Sequence, residues 1–317
     1  MKKHIMPENK NWDFKMQMRE AIFEYLYDKF RQEKLLDSFI LSNDFGAQKL
    51  DAIREKYPKQ FINCGISEQN QIGVGAGMSK FGLTPIFYSI ASFYMRAAEQ
   101  IKVDIAVPNL KSIFLGVGAG YGYSADGPTH HSIEDIGLFN NFDEFDVIVP
   151  ISDISAVQYF EDIILNRNKP VYLRLDRDDC LGISRSDYGF HLISRNVASV
   201  KDKSKKLIIT CGYLASICTE HFSGTNVDIC IVEDFSAIKS GKLQKCVSDY
   251  SKIVIAEEHV TLTGLASLAF RDLNFENCAV AALGLNGPSR FGYNNRIELL
   301  RASGIDPVSI EQKLESL

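Results

Sequence analysis

Apolar and polar positions follow two alternating rhythms along this chain. Phe14, Met18, Ala21, Ile22, Leu26 and Phe30 recur at steps of three and four, which predicts one amphipathic helix. Short β-branched or aromatic runs then alternate with segments of helical period. Strands are predicted near residues 39–41, 61–63, 85–88, 111–115, 146–149 and 171–175, with helices near 49–56, 70–80, 95–106 and 153–166. Such alternation implies a parallel sheet covered by helices on both faces. The polar stretch from Arg177 to Ser204 interrupts the pattern, which restarts with strands near 207–211, 227–232, 252–256 and 279–283. The predicted fold class is α/β: two three-layer domains with mainly parallel sheets, at residues 1–185 and 190–317.

Composition narrows the function more than the fold. A chain of 317 residues with 45% hydrophobic and 24% charged content has the make-up of a soluble globular protein with room for two cores. The net charge of −5 argues against a nucleic-acid partner, which needs a concentrated basic face. No apolar run has the length that spans a bilayer, and the Lys/Asn-rich segment from Met1 to Trp12 lacks the apolar centre of a secretory signal. The cysteines at 64, 180, 211, 218, 230, 246 and 278 are scattered without a CxxC pair, as in reduced cytoplasmic thiols; neither a disulfide framework nor a zinc site is expected.

The densest chemical signal lies in the run from Phe61 to Gly77, Phe-Ile-Asn-Cys-Gly-Ile-Ser-Glu-Gln-Asn-Gln-Ile-Gly-Val-Gly-Ala-Gly. A strand ends, a glycine turns the chain, and Glu68 opens a helix rich in small residues. A carboxylate in the first turn of a helix is electrostatically favoured, so Glu68 reads either as a simple capping residue or as a functional acid. Glycine costs roughly 1 kcal/mol in a helix, so Gly73, Gly75 and Gly77 call for close approach by another helix or another subunit. The run Gly116-Val-Gly-Ala-Gly-Tyr-Gly122 imitates a dinucleotide loop, but it continues into Asp-Gly-Pro-Thr-His instead of opening a helix, which argues against a nicotinamide site. Asp126-Gly127-Pro128 also reads as a plain turn, and His131 with Glu134 as a surface pair or, less well supported, two ligands of a metal.

Gly65-Ile-Ser-Glu-Gln-Asn70 closely resembles the G-I-x-E-Q/H-N/H motif of transketolases and deoxyxylulose-phosphate synthases, in their pyrimidine-binding domain. Further matches follow in the family's order: Ser92 to Gln100, Asp104 to Leu110, Ala125 to Asp135 and Pro170 to Arg177, then Val254 to His259 and Ser289 to Gly292 in the second domain. The resemblance implies a thiamine-diphosphate enzyme. Glu68 would hydrogen-bond N1′ of the cofactor's aminopyrimidine ring and favour the tautomer that removes the thiazolium C2 proton. Phe93 would stack on that ring, with a buried core phenylalanine as the alternative, and Arg96 would lie beside the cofactor. Asp126, His130 and Arg177 would face substrate, His130 also serving catalysis as a proton shuttle or donor.

Two departures from the family pattern carry weight. No G-D-G…N motif for Mg²⁺ and the diphosphate is found, and Glu68 comes too early to leave room for that domain upstream; the lysine-rich lead-in after Met1 reads as a genuine start. The resemblance therefore implies a cytoplasmic β-type subunit of a two-component transketolase-like enzyme. Mg²⁺ and its ligands would come with a diphosphate-binding partner, in an α₂β₂ assembly with the site at the interface. The family's phosphate-contacting residues correspond to Gly118 and roughly to Gln48 here, with Arg177 or Arg174 retained. The expected reaction moves a two-carbon ketol unit between sugars that are not standard sugar phosphates. The alternatives are an E1 β-like or decarboxylating synthase subunit acting on a 2-oxoacid, or a non-catalytic partner that has kept the fold.

Overall fold

The computed structural model describes residues 16–178, 181–194, 205–286 and 295–317. The helix predicted from Phe14 runs over Met18–Arg31 (α1), Phe14 itself lying outside the described residues, as do Trp12, Cys180 and the Ser289–Gly292 match. The first sheet consists of β1 (Ser38–Ser42), β2 (Phe61–Asn63), β3 (Thr84–Ile90), β4 (Ser112–Val117), β5 (Asp146–Ile148) and β6 (Pro170–Leu175). It is parallel throughout, in the order β2-β1-β3-β4-β6-β5. Strands β3, β4 and β6 are buried along their whole length, as a sheet covered on both faces requires. One face is covered by α1 and the Asp153–Asn166 helix, the other by α3 (Glu68–Lys80) and a continuous helical segment from Ala91 to Ala106. The Gln48–Lys56 helix (α2) packs on α1.

The second sheet, β7 (Phe190–Ile193), β8 (Lys206–Thr210), β9 (Val227–Val232), β10 (Lys252–Ala256) and β11 (Ala279–Leu283), has the order β11-β10-β8-β9-β7. Its one antiparallel member, β7, lies inside the polar stretch that the sequence pattern treats as a connection. A strand of four residues with one side toward solvent leaves too short an alternation to be read from the pattern.

The two sheets share a core. One apolar cluster runs from Phe87, Phe114 and Tyr172 of the first sheet to Leu207, Ile209 and Ile255 of the second. Backbone bonds from Val149 to the Glu233 carbonyl (2.7 Å) and from Phe235 to the Val147 carbonyl (3.1 Å) join them at β5. Polar groups are buried at the same junction. The Arg174 guanidinium donates to both oxygens of Asp135 (2.8 and 3.2 Å), which also accepts the Tyr172 hydroxyl (2.5 Å). That pairing holds the Asp135 carboxyl below its usual range against a burial effect that would raise it.

Beside this pair, His259 accepts the Ile136 N–H at Nε2 (3.1 Å) and meets the Val260 carbonyl at Nδ1 (2.9 Å), an arrangement only the neutral ring satisfies. Burial accordingly lowers its pKa to about 4. Burial raises Glu257 to about 7, even though the Leu265 and Ala266 N–H groups donate to it. A carboxyl raised above its unfolded value stabilises the fold fully below about pH 4.5 and loses that contribution as pH rises through 7. Glu257→Gln removes this dependence. Relative to the parent, the variant is expected to gain roughly 2–3 kcal/mol between pH 4.5 and 7, measured by urea unfolding at each pH. A difference that does not vary with pH would place the Glu257 proton elsewhere.

Candidate active site

The segment from β2 to α3 folds as its residues dictate. Asn63 Oδ1 accepts the N–H groups of Gly65 (3.0 Å) and Asp44 (3.1 Å), closing the turn after β2. Gly65 takes φ +69°, a left-handed value that glycine adopts without strain. Ser67 Oγ then donates to the Cys64 carbonyl (2.6 Å), and α3 opens on Glu68. Buried Gln71 ties α3 to the sheet, donating to the Leu41 carbonyl (2.6 Å) and accepting from Asn43 (3.0 Å). Gly75 is small because of the sheet: a Cβ there would lie 2.3 Å from the Phe87 ring. Gly73 and Gly77 have open space on the outer side of α3, beside exposed Val74.

Glu68 makes no capping bond. Its side chain is buried (4% exposed), and Oε2 has no hydrogen-bond partner. A buried carboxylate oxygen left unpaired is costly, and a donor from outside the chain would satisfy it. The helical segment that flanks α3 begins as a 3₁₀ helix, Ala91–Ala97. Phe93 and Arg96 stand three residues apart there, on one side of a helix with three residues per turn. Phe93 meets the His130 ring edge-on at 5.1 Å, while Arg96 is exposed.

Asp126 and His130 lie on the loop between β4 and the Asp135–Asn140 helix, both accessible. Thr129 Oγ1 sits 2.9 Å from His130 Nδ1, which leaves Nε2 for another partner. The loop is stitched to the Phe93 segment by Ser92, whose N–H donates to Ser132 Oγ (3.0 Å) and whose hydroxyl donates to the Thr129 carbonyl (3.1 Å). Tyr123, on the same loop, is 5.9 Å from the His130 ring and carries the Arg177 guanidinium 4.2 Å above its face. Gly118 makes way for it, since a Cβ there would lie 2.1 Å from Tyr123 Cδ2. Burial raises the Tyr123 phenol pKa against the opposing pull of Arg19 and Arg177. Tyr123 Oη and Arg177 Nε are buried without a hydrogen-bond partner, while Arg19 Nε lies 3.6 Å from Glu20 Oε1 in an ion pair.

The structure gathers some of the residues expected at the site and disperses others. Glu68 lies at the start of α3; Phe93, His130, Tyr123 and Arg177 form one continuous set of contacts, with Asp126 on the same loop. Arg174 is spent on Asp135 and is not available to a substrate phosphate. His131 and Glu134 are no surface pair, because residues 127–134 are not helical. His131 is buried against Tyr121 (4.8 Å) with Nε2 3.3 Å from the Ser124 carbonyl, while Glu134 is exposed. Among the described residues, no cluster of side chains could hold a metal ion. Arg19 and Tyr123 are not legible in the sequence, where Arg19 is one more polar residue in the first turn of an amphipathic helix.

Residues 18–180 match the family "Transketolase, pyrimidine binding domain". The chain belongs to this family. Transketolase-type similarity extends through the second domain. The chain is 25% identical to an apulose-4-phosphate transketolase subunit from Phocaeicola vulgatus, over 92% of this chain and 94% of that one. A protein of the same name from Actinobacillus succinogenes is 26% identical, over 86% and 89%. A 1-deoxy-D-xylulose-5-phosphate synthase of Prochlorococcus marinus is 26% identical over 76% of this chain but only 38% of its own length. In fold, a split-gene transketolase solved as an inactive β4 tetramer superposes with TM-score 0.77 at 23% identity, over 95% of this chain and 99% of that one. Transketolase of Campylobacter jejuni gives the same score at 16% identity, but this chain spans only 48% of it.

Proposed function

We propose that this chain is the β-type, pyrimidine-binding subunit of a two-component transketolase-like enzyme that moves a two-carbon ketol unit between sugars. The observation that carries the reading is the buried, partnerless Oε2 of Glu68 at the start of α3. An anionic acceptor there suits N1′ of thiamine diphosphate, whose bound thiazolium would supply the carbanion chemistry. Glu68 would hold the pyrimidine nitrogen, Phe93 would pack on the ring, and Arg96 would lie at the exposed edge. Asp126 and His130 would orient the sugar hydroxyls, with His130 Nε2 placed to give or take a proton.

The diphosphate and Mg²⁺ would be held by a partner subunit, in a cytoplasmic α₂β₂ complex. An outer surface well suited to such a partner begins right beside Glu68. Ile66 (76% exposed) precedes α3, Val74 lies within it beside the open glycines 73 and 77, Phe81 (88% exposed) follows it, and Met95 and Val103 lie on the neighbouring helical segment. Exposed apolar side chains on neighbouring elements are what an interface buries.

Arg19 and Arg177 would recognise the substrate: both charges act on the Tyr123 phenol, and Arg177, 4.2 Å above its ring, has a buried Nε without a hydrogen-bond partner. An anionic end such as a sugar phosphate would fit them, with Tyr123 filling the space at Gly118. The relatives named for apulose 4-phosphate support a phosphorylated ketose other than the standard pair. Calorimetric titration of thiamine diphosphate with Mg²⁺ tests the reading, using this chain alone and with a G-D-G…N-bearing partner. Binding only in the mixture, followed by ketol transfer without pyruvate decarboxylation, is expected. Tight binding to the chain alone, or rapid turnover of xylulose 5-phosphate with ribose 5-phosphate, would overturn its two halves respectively.

A further inference from the structure

No described residue of the second domain belongs to the site just described, yet that domain touches the two segments that present the site to substrate. The first is the loop bearing Asp126 and His130, closed at its neck by a reciprocal pair of backbone bonds between Gly120 and Ser132 (2.9 Å each). Glu258 reaches into this neck, where Oε1 accepts the Tyr121 N–H at 2.8 Å. Gly120 is glycine for this contact as well as for its φ of +58°, because a Cβ would lie 2.4 Å from Glu258 Cδ. The second segment is the tail of β6, residues 176–178, which carries Arg177.

Arg296 joins the two. Its guanidinium is buried and lies over Tyr213, 3.9 Å from the ring centroid. It donates to both oxygens of Asp176 (2.7 and 2.8 Å) and to Asp178 (2.7 Å), the residues on either side of Arg177. It also pairs with Glu258 through Nε (3.0 Å) and Nη2 (2.6 Å) and donates to the Ala119 carbonyl (3.2 Å). A planar guanidinium can fix several acceptors at once in a way that a point charge cannot.

We infer that Arg296 and Glu258 of the second domain are positioning residues, a buried clamp that sets Arg177 against the loop bearing Asp126 and His130. The inference rests on the proposed catalytic reading for its effect on substrate, but not for the clamp itself. The loop neck is also tied within the first domain, by Ser92 and Arg174 at Ser132, whereas residues 176–178 lie beyond the end of β6 and Arg296 bonds to both aspartates there.

The test compares Arg296→Lys and Glu258→Gln with the parent. Lysine keeps the charge but loses the fork, and glutamine keeps an acceptor for Tyr121 but loses the ion pair. Backbone hydrogen exchange of the full chain is expected to quicken at least about tenfold in peptides covering 119–132 and 175–178, with strands β3 and β10 unchanged. In the complex with its partner, KM for a phosphorylated sugar should rise about tenfold or more, while affinity for thiamine diphosphate stays within about threefold. Should Arg296→Lys fail to fold, Glu258→Gln carries the same reading. Unchanged exchange, or exchange quickened uniformly across both sheets, overturns the clamp whether or not the parent is active. Localised exchange supports the clamp even where no sugar is turned over. Localised exchange with an unmoved KM in an active complex overturns the positioning role.

Discussion

Glu68→Gln is expected to lower turnover of the reconstituted enzyme by about 10²- to 10⁴-fold while the chain folds and assembles normally. Glutamine has the same length and keeps one oxygen, so packing at the start of α3 is preserved. What it loses is the anion. A hydrogen bond to an ionised acceptor is roughly twice as strong as a neutral one, and the proposed chemistry depends on that difference. The same substitution has a distinct signature in stability. The carboxylate is buried with Oε2 unpaired, so the chain alone bears its desolvation cost without a compensating bond. Removing the charge should leave the melting temperature of the isolated chain unchanged or higher, as at sites kept for function at the expense of stability. A lowered melting temperature with near-parental turnover would instead make Glu68 a structural capping residue. Steady-state kinetics with the partner and a thermal melt of the chain alone separate the two.

Periodicity carried most of the fold, because strands buried on both faces and helices on a sheet leave strong and different rhythms. The runs at 227–232, 252–256 and 279–283 are strands over those same residues. β7 escaped because four residues at an edge, three of them half-buried, carry no clear alternation. In the candidate site, the contiguous turn, acid and small residues left Glu68 open as either a cap or a functional acid, and only the family resemblance singled it out. Arg19, Tyr123 and Arg296 were not legible, because each acts on residues far away in sequence: Arg296 lies 120 positions from Asp176. No local pattern distinguishes such an arginine from a solvated one. Glu257, Glu258 and His259 illustrate the limit from the other side. As sequence these three adjacent polar residues read equally as structural or functional, and in the fold all three are buried and bonded in different directions.

The Arg174–Asp135 pair at the same junction gives the largest expected effect on stability. Arg174→Met should destabilise the chain by about 3–5 kcal/mol, since it leaves the buried Asp135 carboxylate without its cation. The Tyr172 hydroxyl still donates to that carboxylate but cannot neutralise it. Arg174 also donates to the carbonyls of Ser132 (2.8 Å) and Glu258 (3.2 Å), so the loop neck and the second domain lose a shared anchor. Asp135→Leu alone strands the opposite charge and should cost a similar amount. The double variant Arg174→Met/Asp135→Leu removes both charges and should be less destabilised than the two single losses added together. The expected coupling is about 1–3 kcal/mol, read from urea midpoints in a double-mutant cycle. Additive losses would mean that the carboxylate finds its counter-charge elsewhere. A double variant that recovers stability but not turnover would separate what the pair does for the fold from what Arg174 does for Ser132. The carbonyl of Ser132 closes the loop carrying Asp126 and His130, and no apolar replacement supplies a donor to it.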